Sequence, residues 1–415
     1  MPPGTRCAVT PCSSSRASAG RTSTSRSRSP SCAACSTAWP PKPRRPPRPS
    51  RPPCPPCSRS PADPLRVLQV DAGREWRGGQ NQARLLAREL AREGEGLEQL
   101  LVTKRGGELA RRARADGVRV REVPWGLGLD PRALWHLYRT IREFRPNILH
   151  AHDSHALQLS AWARRFARRG RASTALVATR RVDFHVRRGS VWFRVDRIIA
   201  ISDAVRNILV ADGITPDVIA VVPSGIDAEE VRRAAVLPVD VRSSLGLAPG
   251  TPLALNVAAL VGHKDQRTLI RAASAARSLR PDLRWIIAGE GKLRPALEAE
   301  IAQLGLQDRV YLSGHIPAVD PVIREADVLV MSSKEEGLGS VLLHALVLGK
   351  PVVATRGGGL PEIVPEEWLV PVGDADALAR KVLAALDHPA PFPLPPRFTA
   401  SVMARGVLAL YRALV

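Results

Sequence analysis

Lys334-Glu335-Glu336-Gly337-Leu338-Gly339-Ser340 begins the stretch on which the reading of the fold turns. It runs on through an apolar, helix-length segment into Gly349-Lys350-Pro351-Val352-Val353-Ala354-Thr355, and then into Gly357-Gly358-Gly359-Leu360-Pro361-Glu362. In order, this is a strand end, a glycine loop, a helix, a second strand and a second glycine loop. Glycines let backbone N–H groups come close to an anion, and a helix N-terminus adds a dipole worth ~0.3–1 kcal/mol. A diphosphate fits such a place. Glu336, just ahead of the glycines, stands where a carboxylate accepts hydrogen bonds from sugar hydroxyls. Taken singly, either loop could equally do no more than close a tight turn.

The same rhythm extends in both directions. Short β-branched or leucine-rich runs read as strands at Arg66–Val70, Gln99–Val102, Val118–Val123, Asn147–His150, Thr174–Ala178, Arg197–Ile201 and Val218–Val222. Amphipathic segments between them, such as Gln80–Glu93, Pro131–Phe144 and His155–Arg168, read as helices. After Pro238 the pattern restarts, with strands at Leu253–Val257, Leu283–Ala288, Val310–Ser313, Val328–Met331 and Val352–Ala354. Such alternation predicts parallel sheets covered on both faces. The expected fold class is therefore α/β, with two facing Rossmann-like domains, 65–230 and 231–395. Strand ends and helix N-termini should open onto the cleft between them. A last helix, Ser401–Leu414 in the segment 396–415, follows the proline-rich Pro389–Pro396 and is expected to cross back onto the N-terminal domain.

Residues 1–64 differ in kind. All six cysteines of the chain lie here, and the first 62 residues carry 11 Lys or Arg with no Asp or Glu, half of the net charge of +22. Proline, serine and arginine dominate, so too little apolar surface is available to offset the entropy of ordering, and a disordered tail is expected. Its composition resembles an organellar transit peptide, but the prolines would interrupt the amphipathic helix such peptides form. Cys32-x-x-Cys35 and Cys54-x-x-Cys57 have four-thiolate zinc spacing, without intervening strands or core to hold the ligands. A third account places the native start at or near Leu65, where the first strand opens, and is preferred on composition.

The body keeps a net charge of about +11, much of it on arginine-rich helical faces such as Arg111-Arg112-Ala113-Arg114. A solvated face explains this as well as contact with anionic lipid does. No nucleic-acid motif interleaves aromatics with these charges, and no apolar run is long enough to span a bilayer.

With those residues in place, Glu336 to Glu362 resembles the signature of retaining glycosyltransferases of family 4, which adopt the GT-B architecture. The resemblance covers nearly all of residues 65–415. It includes Arg74-Glu75-Trp76-Arg77-Gly78-Gly79-Gln80, Ser202-Asp203, Val222-Pro223-Ser224-Gly225-Ile226-Asp227, Ala288-Gly289-Glu290-Gly291 and Ser313-Gly314-His315. What it implies is transfer of a sugar from a nucleoside diphosphate to an acceptor hydroxyl with retention of configuration. Catalytic roles fall on Glu336 (donor sugar), Lys264 (the leaving diphosphate) and His152 (near the anomeric centre), with His150 the competing histidine. Donor-binding roles fall on Gly78, Gly79, Gly337, Leu338, Gly339, His344 and Glu290. Two positions depart from the pattern. His344 stands where the family has a second carboxylate, and Ala259 stands where it has an arginine, for which Arg356 or Lys292 could substitute.

No metal or other cofactor is expected, because Asp374-Ala375-Asp376 opens a helix and suits an N-cap better than a metal site. Arg180-Arg181-Val182-Asp183-Phe184-His185 could bind an acidic or hydroxyl-rich acceptor, or be a surface loop. The basic N-terminal domain points to an acceptor that is lipid-linked or part of an envelope glycan. The expected partners are thus a nucleotide sugar, a hydroxyl-bearing acceptor and an anionic membrane surface, with no nucleic acid. The expected location is the cytoplasm, peripheral on the inner face of the membrane. Two alternatives remain: a sugar-nucleotide-binding protein that has lost turnover, motivated by His344 and Ala259, and a sugar-nucleotide epimerase.

Overall fold

The computed structural model describes residues 64–93, 96–126, 128, 130–167 and 174–415. The readings made of the N-terminal tail and its cysteines fall outside these residues.

Two parallel sheets form the body. The first contains β1 (Leu65–Asp71), β2 (Leu97–Lys104), β3 (Val120–Val123), β4 (Ile148–Ala151), β5 (Ala175–Arg180), β6 (Arg197–Ala200) and β7 (Ile219–Val221), in the order β3-β2-β1-β4-β5-β6-β7. The second contains β8 (Leu253–Val257), β9 (Arg284–Ala288), β10 (Val310–Gly314), β11 (Val328–Met331), β12 (Val352–Thr355) and β13 (Leu369–Val370), in the order β10-β9-β8-β11-β12-β13. β13 is two residues long, too short for periodicity to reveal, and its pairing with β12 alone defines it. In each sheet the order reverses at the centre, between β1 and β4 and between β8 and β11. Helices leave in opposite directions there and a crevice opens at the carboxyl ends of the strands.

The strand sequences explain why both faces are covered. All residues of β4, β5, β11 and β12 are buried, as near-continuous apolar runs demand. Within β1, successive side chains serve different layers. Leu68 and Val70 pack in one hydrophobic cluster with Leu137 and Leu157, whereas Val67 packs in another with Leu86, Leu90 and Tyr411. Each such fully buried aliphatic side chain contributes roughly 1.5–3 kcal/mol.

Two chain crossings join the domains, and they lie side by side. Ile226 donates its N–H to the Phe398 carbonyl (2.8 Å), and Ala400 donates to the Ile226 carbonyl (3.0 Å). Gly225 allows this approach, because a β-carbon there would sit 2.6 Å from the Thr399 carbonyl oxygen. Beyond the second crossing, helix Ala400–Arg412 packs back on helix Gly78–Glu93, burying Met403, Val407, Leu408 and Tyr411. Helix Ala228–Ala235 straddles residue 230, where the sequence placed a domain boundary. Its acidic start is held by the N-terminal domain, Asp227 by Arg88 (2.7 Å) and Glu230 by Arg84 (2.6 Å). Its end accepts a bond from Arg324 of the C-terminal domain (2.6 Å). The helix is therefore a clamped connector rather than part of either sheet's wrapping.

Candidate active site

Both sheet crevices open onto the same cleft. On the N-terminal side, β1 ends at Asp71 and β4 leads into His152 and Asp153. The Asp153 carboxylate accepts N–H bonds from His155 (2.8 Å) and Ala156 (2.9 Å), starting helix Ser154–Ala167, and a third from Ala72 (2.7 Å). Asp71 is fully buried and accepts from the Gly73 N–H (2.8 Å). Burial, with the nearby Asp153 charge, raises its carboxyl to about 6.

His150 and His152 lie with ring centroids 4.2 Å apart. His150 is enclosed, its Nδ1 against the Tyr411 hydroxyl (2.5 Å) and its Nε2 against Thr179 Oγ1 (2.7 Å). His152 places Nε2 on Gln69 Oε1 (2.8 Å), while Arg181 donates to its Nδ1 (3.3 Å) and to its carbonyl (2.9 Å). Both ring nitrogens of His152 thus have protein partners, and the Arg181 donor fixes the proton on Nε2. Burial pushes His150 down to about 3. It holds His152 well below the usual imidazole range, helped by His150 and Arg181, so both rings are neutral.

On the C-terminal side, the loop after β8 carries a short helical turn, Gly262–Lys264, and the loop after β11 carries Glu336. These loops are tied together. Ser332 Oγ donates to the Lys264 carbonyl (3.0 Å), and the Lys334 N–H donates to the His263 carbonyl (2.8 Å). The Lys264 ammonium is ion-paired with the Glu336 carboxylate. The second glycine loop packs backbone to backbone on the first, with the Gly359 N–H donating to the Glu336 carbonyl (2.8 Å). A β-carbon at Gly358, whose φ is +55°, would lie 2.2 Å from that carbonyl oxygen.

The domains touch at this loop. Ser202 Oγ donates to the Gly337 carbonyl (2.5 Å), and Gly337 lies so close to Arg181 that a β-carbon would be 2.6 Å from the arginine's carbonyl oxygen. Glu362 reaches across to accept N–H bonds from Asp203 (3.1 Å) and Ala204 (3.0 Å), capping an N-terminal-domain helix from the other domain. A cavity of about 300 Å³ lies between the domains, lined by Asp183, Phe184, His185, Ile208, Glu335 and Gly358.

The remaining residues singled out in the sequence are distributed unevenly. Leu338 and Gly339 are buried within the first glycine loop, Gly339 with φ of +80°. Gly78 and Gly79 form the first turn of helix Gly78–Glu93 rather than a loop before it. A β-carbon on Gly78 would meet nothing within 4 Å, and one on Gly79 only the Arg181 side chain at 3.9 Å, so this helix N-terminus is open. Glu290 pairs with Arg294 (3.2 Å). His344 places Nδ1 on Asp320 (2.6 Å). Arg356, a candidate substitute for the arginine missing at Ala259, is instead paired with Glu366. Asp374 accepts from the Ala377 N–H (2.8 Å) as a helix cap. Sequence reading missed the roles of Asp71, Asp153 and Glu362. The one visible signal was Asp153 standing immediately before a helical segment.

Known proteins share the two domains and the fold. Residues 76–230 match the domain family described as Glycosyltransferase Family 4, and residues 240–400 match Glycosyl transferases group 1. The 2-deoxystreptamine glucosyltransferase of Streptomyces kanamyceticus is 30% identical over 205 residues, covering 48% of this chain and 53% of that protein. A Salmonella typhimurium protein, WcaL, named for colanic acid biosynthesis, is 31% identical over 209 residues, covering 47% and 49%. The chain thus spans about half the length of these curated relatives. Among solved structures, Anabaena HepE in complex with UDP and glucose superposes with a TM-score of 0.69 at 20% identity, covering 84% of this chain and all of that one. The two halves of the chain thus match two glycosyltransferase domain families in succession, and its fold is shared with HepE.

Proposed function

We propose that this protein transfers a glycosyl group from a nucleoside diphosphate sugar to an acceptor hydroxyl, with the anomeric configuration retained. The observation that carries the reading is the convergence of Lys264, Glu336 and two glycine loops opposite the open N-terminus of helix Gly78–Glu93. Lys264 and the backbone amides stabilise negative charge developing on the diphosphate, the electrostatic contribution that usually dominates such transfers. Glu336 accepts hydrogen bonds from the donor sugar. In the step itself, the acceptor oxygen bonds to the anomeric carbon as the bond from that carbon to the diphosphate oxygen breaks. The nucleoside diphosphate leaves with the bonding electrons, and the acceptor proton passes to a phosphate oxygen on the same face. His152, neutral and immobilised by Gln69 and Arg181, shapes the wall near the reacting carbon rather than shuttling protons.

The phosphates are held without metal in this reading. The carboxylate best spaced for a metal, Asp374, is engaged as a helix cap, and Lys264 supplies the positive charge. Assembly of envelope or lipid-linked glycans at the inner membrane face fits the basic N-terminal domain and the naming of WcaL. Among the described residues no helix is long and apolar enough to cross a membrane. A thermal-shift screen of the full chain against UDP-, GDP- and ADP-sugars, with and without EDTA, tests the donor site. A shift with one nucleotide class, kept in EDTA and lost in Glu336→Ala, supports it; no shift with any of them overturns it. Retention is tested by NMR of the product's anomeric proton.

A second reading, donor binding without turnover, is favoured by the engagement of His344 with Asp320. Nucleotide-dependent stabilisation with no product from any acceptor pool would select it.

A further inference from the structure

The loop from β5 to β6 folds over helix Ser154–Ala167 and with it lines a half-open cavity of about 880 Å³ in the N-terminal domain. Arg165, Arg180, Arg187 and Arg194 line it, together with the indoles of Trp162 and Trp192. Among the described residues, no carboxylate lies within ion-pairing distance of any of these four arginines. Of the acids nearby, Asp183 is buried with one carboxylate oxygen unpartnered, and two others are engaged elsewhere. Asp196 pairs with Arg164 and accepts from the Leu176 N–H (2.6 Å). Asp212 accepts from the Val186 N–H (2.7 Å) and from His185 (2.6 Å).

Arg180 is the unusual member. It is 7% exposed, its guanidinium carbon stands 5.1 Å from the centroid of the Trp192 ring, and one amino group donates to the Phe184 carbonyl. Its Nε has no partner. Burying a guanidinium without a hydrogen-bonded counter-charge is costly, and the cost is recovered when an anion arrives. Burial lowers the arginine's pKa by more than the charges of nearby Asp212 and Asp183 raise it. The fork of a guanidinium suits phosphate or carboxylate oxygens, and exposed Arg165 and Arg187 at the rim add attraction over a longer range. The space is far larger than one phosphate needs, and the indole faces offer flat apolar walls.

The cavity also adjoins the interdomain cleft. His185 lines both it and the interdomain cavity that contains Glu335 and Gly358. Arg180 is followed directly by Arg181, which holds His152.

We infer that this arginine-lined cavity is the acceptor subsite, and that the acceptor carries a phosphate group, seated on Arg180, while its hydroxyl extends into the cleft. The acceptor role rests on the glycosyl-transfer reading above; the phosphate-binding role does not. The phosphate could belong to a soluble phosphorylated sugar or to a lipid headgroup, and the test separates them.

The full chain is titrated with glucose 6-phosphate, and with glucose as the uncharged control, using fluorescence of the lining tryptophans. In parallel it is sedimented with phosphatidylglycerol vesicles and with phosphatidylcholine vesicles. Both are repeated on Arg180→Gln and, in case that buried substitution impairs folding, on Arg165→Ala/Arg187→Ala at the exposed rim. Lys264→Ala serves as a donor-site control. The expected result is phosphate-dependent binding that weakens about tenfold in either pocket variant, equivalent to about 1.4 kcal/mol, and is unchanged in Lys264→Ala. Pocket-dependent binding of glucose 6-phosphate identifies a soluble source; pocket-dependent binding of phosphatidylglycerol vesicles alone identifies a headgroup. Binding that ignores the pocket variants, or no preference for phosphate in either arm, overturns the proposal. Pocket-dependent binding without any nucleotide-sugar shift leaves the anion site standing and overturns the donor reading instead.

Discussion

Lys264 and Glu336, 72 positions apart in the chain, form an ion pair at the centre of the cleft, each side chain about 15% exposed. Removing one partner leaves the other charge largely desolvated, so both the site and its local stability depend on the pair. For Lys264→Ala, the expected loss in kcat/KM is about 10²–10³-fold with the donor selected by thermal shift. Lys264→Arg should recover little, since a planar fork does not replace a compact ammonium here. Steady-state kinetics of the two variants checks this, and activity within a few-fold of the parent would remove Lys264 from catalysis.

Gly337 and Gly78 predict opposite outcomes for the same substitution. A β-carbon at Gly337 collides with the Arg181 carbonyl of the facing domain, so Gly337→Ala should push the domains apart and abolish donor binding. Its circular dichroism should stay native, because the collision lies between domains. Gly78→Ala meets open space on a helix and should raise stability by about 0.5–1 kcal/mol. If a diphosphate docks on that helix N-terminus, KM for the donor rises as well. Unchanged KM would remove Gly78 from the binding site.

Asp71 gives a pH dependence with a definite sign. Its carboxyl is raised from 3.8 to about 6, so the folded state holds the proton more tightly than the unfolded chain. This stabilisation is complete below about pH 3.8 and is lost as pH rises through about 6. Asp71→Asn should remove that slope and gain up to about 3 kcal/mol above pH 7, provided the bond from Gly73 is kept. Melting temperatures between pH 4.5 and 7.5 read this directly, and parallel profiles for the two proteins would contradict it.

His344 cannot simply be changed to the carboxylate that the family resemblance would place there. Asp320 faces it at 2.6 Å, so His344→Glu would set two half-buried carboxylates against each other and lower the melting temperature. Adding Asp320→Asn should restore stability and tighten nucleotide binding. A double-mutant cycle on melting temperature and nucleotide Kd tests this, with additivity as the contrary result.

Glu362 caps a helix of the opposite domain. Glu362→Ala should cost about 1 kcal/mol and loosen the closed arrangement, whereas Glu362→Gln keeps an acceptor and should cost less. Small-angle scattering together with denaturant unfolding separates the two effects.

Much of the architecture was legible because it rests on local pattern. Twelve of the strands announce themselves as apolar runs between turn residues, and only two-residue β13 is too short to do so. The glycine loop at 337–339 was also legible, since positive φ at Gly339 and backbone packing at Gly358 tolerate little else. The buried network of Gln69, Asp71, His152 and Arg181 was not. Two of its members come from β1 and one each from beyond the ends of β4 and β5, and no spacing rule joins them. Of the arginines of the 880 Å³ cavity, Arg180 was legible as part of a candidate acceptor-binding segment and the others only as charge. Their lack of carboxylate partners is a property of the packed loop.

The sequence by itself determined two successive parallel α/β units, because hydrophobic period and turn chemistry act over a few residues and survive without tertiary context. The tertiary structure alone decided which charges meet: Lys264 with Glu336, His344 with Asp320, Glu362 with a helix of the other domain, and Arg180 near Asp183 and Asp212 but in ion-pairing contact with neither. Those pairings depend on sheet order and on how the two domains close, and Coulomb and hydrogen-bond energies fall off too steeply for linear spacing to report them.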